Sequence, residues 1–135
     1  MKQASINKLK EQTPLPVIVA PMFIISTPNM VLASCEAGVV GTFPTLNART
    51  EEQLEEWFQE IKDGHAHLQA EYKDKQIAPW GVNLIVHSSN QRYEHDLSLV
   101  KKYQPPVVIT SLGKPVNEVE IVHEYGGLVF SDVIS

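Results

Sequence analysis

Five short apolar runs alternate along this chain with segments of helical periodicity, and this alternation constrains the fold more than any other feature. Runs of this length, rich in valine and isoleucine, are typical of strands that are buried on both faces of a parallel sheet. The resulting βαβαβαβαβ order with right-handed crossovers predicts an α/β fold built from parallel βα repeats. The runs cover residues 16–22, 39–44, 80–86, 107–110 and 128–130.

The segments between the runs carry start and stop signals for helices. Thr27 is followed by proline, which predicts an N-cap with proline at the first helical position, and Gly38 predicts the end of that helix. Thr50 predicts the start of a longer helix, with Gln53 completing a capping box. Asn117 is predicted to cap a later helix.

The first apolar run is predicted to be the first strand, and it ends in Ala20, Pro21 and Met22. Pro21 has no main-chain N–H, so the strand must end there. Ligands of α/β barrels and open α/β sheets bind at the carboxyl ends of the strands. The Ala-Pro-Met turn is therefore a candidate part of a ligand site.

Composition limits the classes of function. A length of 135 residues predicts a single domain over residues 1–135 with a core of its own. The 11 Lys and Arg residues against 16 Asp and Glu, with no basic stripe, argue against a nucleic-acid partner. No apolar run approaches the roughly 18 residues of a membrane helix, so we expect no membrane contact.

The positions of the cysteine and the histidines argue against a disulfide, a nucleophilic cysteine and a metal site. Cys35 is the one cysteine, which excludes an internal disulfide and suits a cytoplasmic location. It falls on the predicted buried face of the first helix, as a small packed hydrophobe does, and no activating base accompanies it. His65 and His67 lie two residues apart on a helix and face different ways, so we predict no metal site.

Four segments in order along the chain carry a resemblance to a known family: residues 16–22, 41–44, 81–84 and 108–115. Together they resemble the nitronate monooxygenases, formerly called 2-nitropropane dioxygenases, which are FMN-dependent TIM barrels. The FMN-dependent enoyl reductases of fatty-acid synthesis are related flavin barrels that share the Pro-Met turn and the Gly-Val-Asn strand. The resemblance implies that this chain is the N-terminal half of a TIM barrel, with about five strands.

The resemblance also implies cofactor-binding residues. The turn of Ala20, Pro21 and Met22 resembles the family segment whose main chain lies along the flavin ring, and Asn83 resembles the asparagine that contacts FMN. Asn83 is unusual on its own account, because it is an amide inside an apolar strand. A buried amide must find partners, either on a cofactor at the barrel mouth or on the neighbouring main chain.

The candidate catalytic residues depart from the family pattern. Ser111, two residues before Gly113, occupies the position at which the best-known class carries a catalytic histidine. A serine does not remove a proton near neutral pH without help, which implies a different base or a substrate that is already a deprotonated nitronate. His87, just beyond the third predicted strand, is the second candidate, and a solvated loop histidine is the alternative interpretation.

Three functions follow from these features. The resemblance implies oxidation of an alkyl nitronate or nitroalkane by O2 with FMN as cofactor. An NAD(P)H-dependent flavin reductase, such as an enoyl reductase, is the alternative enzyme on the same scaffold. Because the family segments that hold the FMN phosphate follow later strands, the third possibility is an inactive half-barrel that binds FMN weakly or not at all. Such a half-barrel is expected to self-associate as a homodimer through its open face and strand edges.

Overall fold

Four parallel strands form the sheet, and they lie in the order in which they occur along the chain. The structure is a computed structural model that describes residues 2–13, 17–114 and 116–132. The predicted α/β class with parallel βα repeats is confirmed. The strands are β1 (Gly41–Pro44), β2 (Trp80–Ile85), β3 (Val107–Ser111) and β4 (Leu128–Ser131).

Two of the predicted helix caps are confirmed. The Thr27 hydroxyl accepts a hydrogen bond from the main-chain N–H of Met30 at 3.4 Å, and the Thr50 hydroxyl accepts one from that of Gln53 at 3.0 Å. Gly38, with φ of 91°, ends the first of these helices as predicted. The described helices are α1 (Lys2–Gln12), α2 (Pro28–Glu36), α3 (Glu51–Glu71), α4 (Tyr93–Tyr103), α5 (Asn117–Glu124) and a short 3-10 helix (Thr45–Asn47).

The sequence did not predict α1, because its residues lack a regular apolar face. None of the helices in the described part of the chain combines the length and the apolar content that crossing a membrane requires.

The predicted cap at Asn117 is wrong. Asn117 is the first residue of α5, and the N-cap position is Val116, whose side chain makes no capping hydrogen bond. Glu118 replaces the cap, since its carboxylate accepts a hydrogen bond from the Val116 N–H at 2.9 Å. Its other oxygen accepts one from the Tyr93 hydroxyl, so this buried carboxylate is satisfied on both oxygens.

The predicted first strand is not formed as a strand. Residue 16 lies outside the described residues, and residues 17–22 contribute one parallel bridge, between Ile18 and Val40. Val17 is 50% exposed, so the expected burial on both faces is wrong for this segment. The segment follows β1 along the edge of the sheet.

Two local features explain why the bridge does not extend into a ladder. The hydroxyl of Thr42 donates a hydrogen bond to the Val19 carbonyl at 2.6 Å, so a side chain takes a place that a main-chain N–H would fill in a ladder. Two residues later, Pro21 has no N–H to donate.

One face of the sheet packs against the helices and carries the larger core. The ring of Phe58 in α3 is central to it, because it stacks on Tyr103 with a centroid distance of 5.4 Å. Phe43 and Trp80 meet the same ring edge-on at 5.9 and 5.8 Å. Other fully buried residues of this core are Val31, Cys35, Leu54, Ile61, Val82, Leu84, Val100 and Val108.

The opposite face, called the inner face here, is less completely covered. Strand register places Asn83, Ile109 and Phe130 side by side on it. Phe130 is 40% exposed, whereas Ile109 is buried. Coverage comes from α1 and the edge segment, through a small cluster of Val40, Val107 and Ile109 packed against Leu9 and Ile18.

Candidate active site

Three polar side chains meet at the carboxyl ends of β2, β3 and β4. Asn83 Nδ2 donates a hydrogen bond to Ser111 Oγ at 2.7 Å, and Ser111 Oγ donates one to Asp132 Oδ2 at 2.7 Å. Parallel strands end at one edge of their sheet, so residues that are distant in sequence become neighbours here. This group, called the polar row below, is the centre of the candidate site.

The Asn83 amide is oriented by the protein. Its Nδ2 donates to the Ile109 carbonyl at 3.0 Å and to Ser111 Oγ, so both amide hydrogens are used. The Oδ1 atom accepts no hydrogen bond from the described residues. Neighbouring groups therefore satisfy the NH2 group of the Asn83 amide, and the amide oxygen remains available to a donor on a ligand. Contact between Asn83 and FMN stays a prediction.

Asp132 is a site residue that the sequence analysis missed. It directly follows β4, two residues beyond the last predicted strand, at the same sheet edge as the other candidates, and this position was the available signal. Its main-chain N–H donates to the Thr110 carbonyl at 2.9 Å, which continues the pairing of β4 with β3 by one residue. The carboxylate is thereby held beside Ser111.

His87 and Ser111, the two candidate catalytic residues, line one open cleft of about 800 Å³. The structure thus brings them to the same site, and their catalytic roles stay predictions. The remaining lining residues are Ser89, Leu112, Gly113, Lys114 and Asp132.

The hydrogen bonds of His87 define which of its nitrogens carries the proton. Nδ1 accepts a hydrogen bond from the main-chain N–H of Ser89 at 3.1 Å and lies 2.8 Å from the Ser89 hydroxyl. A nitrogen that accepts from an amide carries no proton, so the neutral ring is protonated on Nε2. In this form His87 offers a hydrogen-bond donor at the cleft, and its basic nitrogen is occupied.

The Ala-Pro-Met turn is mostly engaged within its own loop. The Met22 N–H donates to Ser26 Oγ at 2.8 Å, and the Met22 carbonyl accepts from the Ser26 N–H at 3.0 Å. Pro21 has no N–H. Of the three predicted residues, Ala20 alone has an N–H that makes no hydrogen bond to a described residue. Only that donor could serve a flavin in the way expected from the resemblance.

Exposed apolar side chains follow the first apolar run and β3 at the carboxyl edge of the sheet. Phe23, Ile24 and Ile25 are 66, 80 and 59% exposed, and Leu112 is 56% exposed. Ile24 and Leu112 both have positive φ, 71° and 65°, which is unusual for residues with bulky side chains. The sequence signal for the first group was a run of four consecutive apolar residues, 22–25, between Pro21 and the cap of α2.

Cys35 does not belong to the site. It is fully buried under the sheet on α2, where its Sγ lies 3.5 Å from the Pro79 carbonyl. Burial raises the pKa of the thiol to about 11, which removes the thiolate needed for nucleophilic chemistry. In the ranges that the structure describes, no group of three or more His, Cys, Asp and Glu side chains is placed to hold a metal ion.

No protein-family model and no curated protein matches the sequence. Among solved structures, FabK from Thermotoga maritima matches with a TM-score of 0.72 and 24% identity over 96% of this chain. The M276A mutant of the same protein matches with a TM-score of 0.71 and 23% identity, also over 96% of this chain. The chain spans 37–39% of the length of these two structures.

Likeness at this level of identity shows the fold. The matched structures are TIM barrels, and the four parallel βα repeats described above superpose on part of them. The polar row lies at the carboxyl edge of the strands, which is where TIM barrels place their active sites. The chain therefore has the fold of part of a TIM barrel, with its candidate site at the edge that such barrels use.

Proposed function

We propose that this chain forms the ring-binding part of a flavin site in an FMN-dependent oxidoreductase. The observation that carries the proposal is the polar row of Asn83, Ser111 and Asp132 at the carboxyl edge of the strands. FabK, whose fold the chain shares, is an FMN-dependent enoyl-ACP reductase, and this supports a flavin as the ligand.

The residues at this edge fit a flavin ring. An isoalloxazine ring is flat and largely apolar, and it carries a donor and several acceptors along one side. Asn83 Oδ1 supplies an acceptor, while the Ala20 N–H and the Nε2–H of neutral His87 supply donors. The exposed side chains of Phe23 and Leu112 supply apolar surface.

The same residues do not fit the phosphate of FMN. Helices α3, α4 and α5 begin at this edge, and a helix N-terminus is the usual site for a phosphate. All three carry carboxylates in the first turn, whose charge opposes a bound phosphate. Lys114 is the one Lys or Arg that lines the cleft in the described part of the chain. The carboxylates are Glu51 and Glu52, Glu94 and Asp96, and Glu118 and Glu120.

An alkyl nitronate is a substrate that suits the proton chemistry of the site. FMN bound at this edge would supply the transfer of electrons from the substrate carbon to O2. Ser111 donates its hydrogen to Asp132 and accepts one from Asn83, so it acts as a hydrogen-bonding group and not as a base. A nitronate is already deprotonated and requires no base at this position.

An NAD(P)H-dependent flavin reductase is the second candidate. It is favoured by the likeness to FabK, since the two activities share one scaffold. In that case the electrons would come from a nicotinamide, and the site would again need no base at Ser111.

A flavin titration tests the proposal directly. Fluorescence quenching of riboflavin and of FMN is followed as the protein is added, for the wild type, Asn83→Leu and Gln59→Leu. Gln59 is the control, because it is an exposed amide on the outer side of α3. We expect saturable binding of both flavins with affinities within about threefold of each other, since the phosphate adds no contact.

The expected loss in Asn83→Leu is about 5- to 150-fold in affinity for both flavins, as one polar contact to the ligand contributes roughly 1–3 kcal/mol. Gln59→Leu should bind like the wild type. A dissociation constant of 1 mM corresponds to a binding free energy of about −4 kcal/mol. If neither flavin saturates the protein at concentrations up to about 1 mM, the proposal is overturned.

A stopped-flow experiment separates the two activities. Protein at saturating FMN is mixed with propyl nitronate or with NADH, and flavin absorbance is recorded. Bleaching by the nitronate with slow or no response to NADH is expected. Rapid bleaching by NADH without a response to the nitronate would instead establish the reductase.

A further inference from the structure

The loop of residues 22–26 holds a conformation that its own sequence does not favour. It is closed by a hydrogen bond from the Ser26 N–H to the Met22 carbonyl at 3.0 Å. At its centre Ile24 has φ of 71°, and a left-handed conformation is sterically unfavourable for a β-branched residue. Its side chain is 80% exposed, so packing does not compensate this cost. Contacts from elsewhere must hold the loop.

Those contacts come from a single side chain. Asn47 Nδ2 donates to the Met22 carbonyl at 3.0 Å and to the Ser26 carbonyl at 2.9 Å. Its Oδ1 accepts a hydrogen bond from the Ile24 N–H at 2.9 Å. The carboxamide thus bonds the beginning, the middle and the end of the loop at once. No other side chain type combines two donors and an acceptor in this flat arrangement except glutamine, which is longer.

Asn47 is itself fixed by the neighbouring site loop. It ends the 3-10 helix, and Arg92 donates from its guanidinium to the carbonyls of Ala48 and Thr45 at 2.6 and 3.4 Å. The same guanidinium lies 3.4 Å from the carboxylate of Asp96, which is fully buried. A buried charged pair of this kind holds its geometry closely, because breaking it leaves a buried charge unpaired.

The main chain of Arg92 belongs to the loop that carries His87. Its N–H donates to Asn90 Oδ1 at 3.1 Å, and Asn90 Nδ2 donates to the Ile85 carbonyl at 2.8 Å. The loop after β2 and the loop of residues 22–26 are therefore joined through Arg92 and Asn47. Of the two, the loop after β2 carries His87, which lines the same cleft as Ser111 and Asp132.

We propose that Asn47 is a positioning residue of the candidate site, which holds residues 22–26 in the one conformation that directs Phe23, Ile24 and Ile25 outward at the sheet edge. Its effect on a ligand rests on the proposed flavin function, whereas its effect on the loop does not. A loop held by one carboxamide should open locally when that side chain is changed, while the rest of the fold stays closed.

Limited proteolysis with chymotrypsin tests this inference, because Phe23 is the exposed aromatic residue of the loop. A protease needs a locally opened segment, so the wild type should be cut slowly after Phe23 in spite of its exposure. Asn47→Asp keeps the acceptor for Ile24 but removes both donors, and Asn47→Ala removes all three bonds. Cleavage after Phe23 should accelerate at least about tenfold in both variants, as expected for a loss of roughly 1.4 kcal/mol or more.

Two controls separate local from global effects. Asn29→Ala changes an exposed asparagine of α2 and should be cleaved at the wild-type rate. Hydrogen exchange of the α3 amides should remain unchanged in the Asn47 variants, whereas the Ile24 amide should exchange faster in Asn47→Ala. If Asn47→Ala does not fold, Asn47→Asp, which removes both donor bonds, tests the inference by the same cleavage assay.

Riboflavin titration of the same variants distinguishes the two proposals. Faster cleavage together with weaker riboflavin binding supports both. Faster cleavage in a protein whose wild type binds no flavin upholds the role of Asn47 and overturns the flavin function. Wild-type cleavage rates in folded Asn47→Asp would overturn the positioning role, whatever the flavin affinity.

Discussion

The two faces of the sheet differ in what their side chains do, and adjacent residues of β2 show this clearly. Val82 points to the helices and is fully buried in an apolar core, with no polar contact of its own. Asn83, the next residue, points to the inner face and joins the polar row. A central strand of a parallel sheet is usually apolar on both faces, so the polar inner face is a departure from what stability alone favours.

The difference indicates a division of roles. The helix-facing core is closed by aromatic pairs around Phe58, whereas the inner face keeps an available amide oxygen and a partly exposed Phe130. Residues that violate the rules of stable packing are most often found where a protein binds or reacts. We therefore expect substitutions on the helix-facing side to change stability, and substitutions on the inner face to change binding.

The largest expected effect is the loss of stability on removing the central ring of the core. Phe58→Ala removes a stacked partner of Tyr103 and two edge contacts, and should cost about 3–5 kcal/mol of unfolding free energy. Phe130→Ala on the inner face should cost less than about 1 kcal/mol, because the ring is already partly solvated. Urea unfolding of both variants provides the measurement. Equal losses would contradict the division between the two faces.

A pH-dependent loss of stability is expected from Cys35 in the helix-facing core. Burial raises the pKa of this thiol from 9.0 to about 11. Below about pH 8 the thiol is neutral in the folded and unfolded states, and the preference for the folded state is complete. As the pH rises from 9 to 11, the unfolded chain loses its proton first, so stability should fall, by about 3 kcal/mol in total.

The matched control for this prediction is Cys35→Ala, which retains every other titrating group. Urea unfolding between pH 8 and pH 10.5 should show a steeper decline for the wild type than for the variant. Parallel pH profiles of the two proteins would show that the thiol does not contribute.

A smaller effect is expected in self-association, which we propose to occur through the inner face. Phe130 is 40% exposed on this face, and β4 has no strand partner on its outer side among the described residues. Phe130→Glu should raise the dissociation constant of a dimer about tenfold, equivalent to roughly 1.4 kcal/mol. Gln59→Glu on the outer side of α3 should leave it unchanged. Sedimentation analysis that finds only monomer at every concentration would refute the association.

How much of the fold could be predicted depended on how local the signals were. Thr27 and Thr50 cap helices through residues three positions away, and both were predicted. The run at residues 16–22 was predicted as a buried strand because its composition fits one. Its position at the edge of the described sheet, and the hydroxyl of Thr42 that interrupts its pairing, are set by contacts more than 20 residues distant.

The candidate site divides in the same way. Asn83 was identified as an amide inside an apolar strand and by its resemblance to a family asparagine, and Ser111 by its place in a family motif, whereas Asp132 could have been identified by its position just after the last predicted strand. Asn47 could not, since its partners in the loop lie 21 to 25 residues away and no motif connects them. Asn47 reaches residues 22–26 only because β1 brings the chain back to the sheet edge at which that loop lies.

The most direct test of the two-face account is a paired measurement on Val82→Ala and Asn83→Leu. Unfolding free energy and riboflavin affinity are determined for each variant and for the wild type. Val82→Ala should lose about 2 kcal/mol of stability and keep its affinity, because it empties part of the core without touching the edge. Asn83→Leu should stay within about 1 kcal/mol of wild-type stability and lose about 5- to 150-fold in affinity. A loss of stability in Asn83→Leu as large as that in Val82→Ala, with unchanged riboflavin binding, would contradict the account.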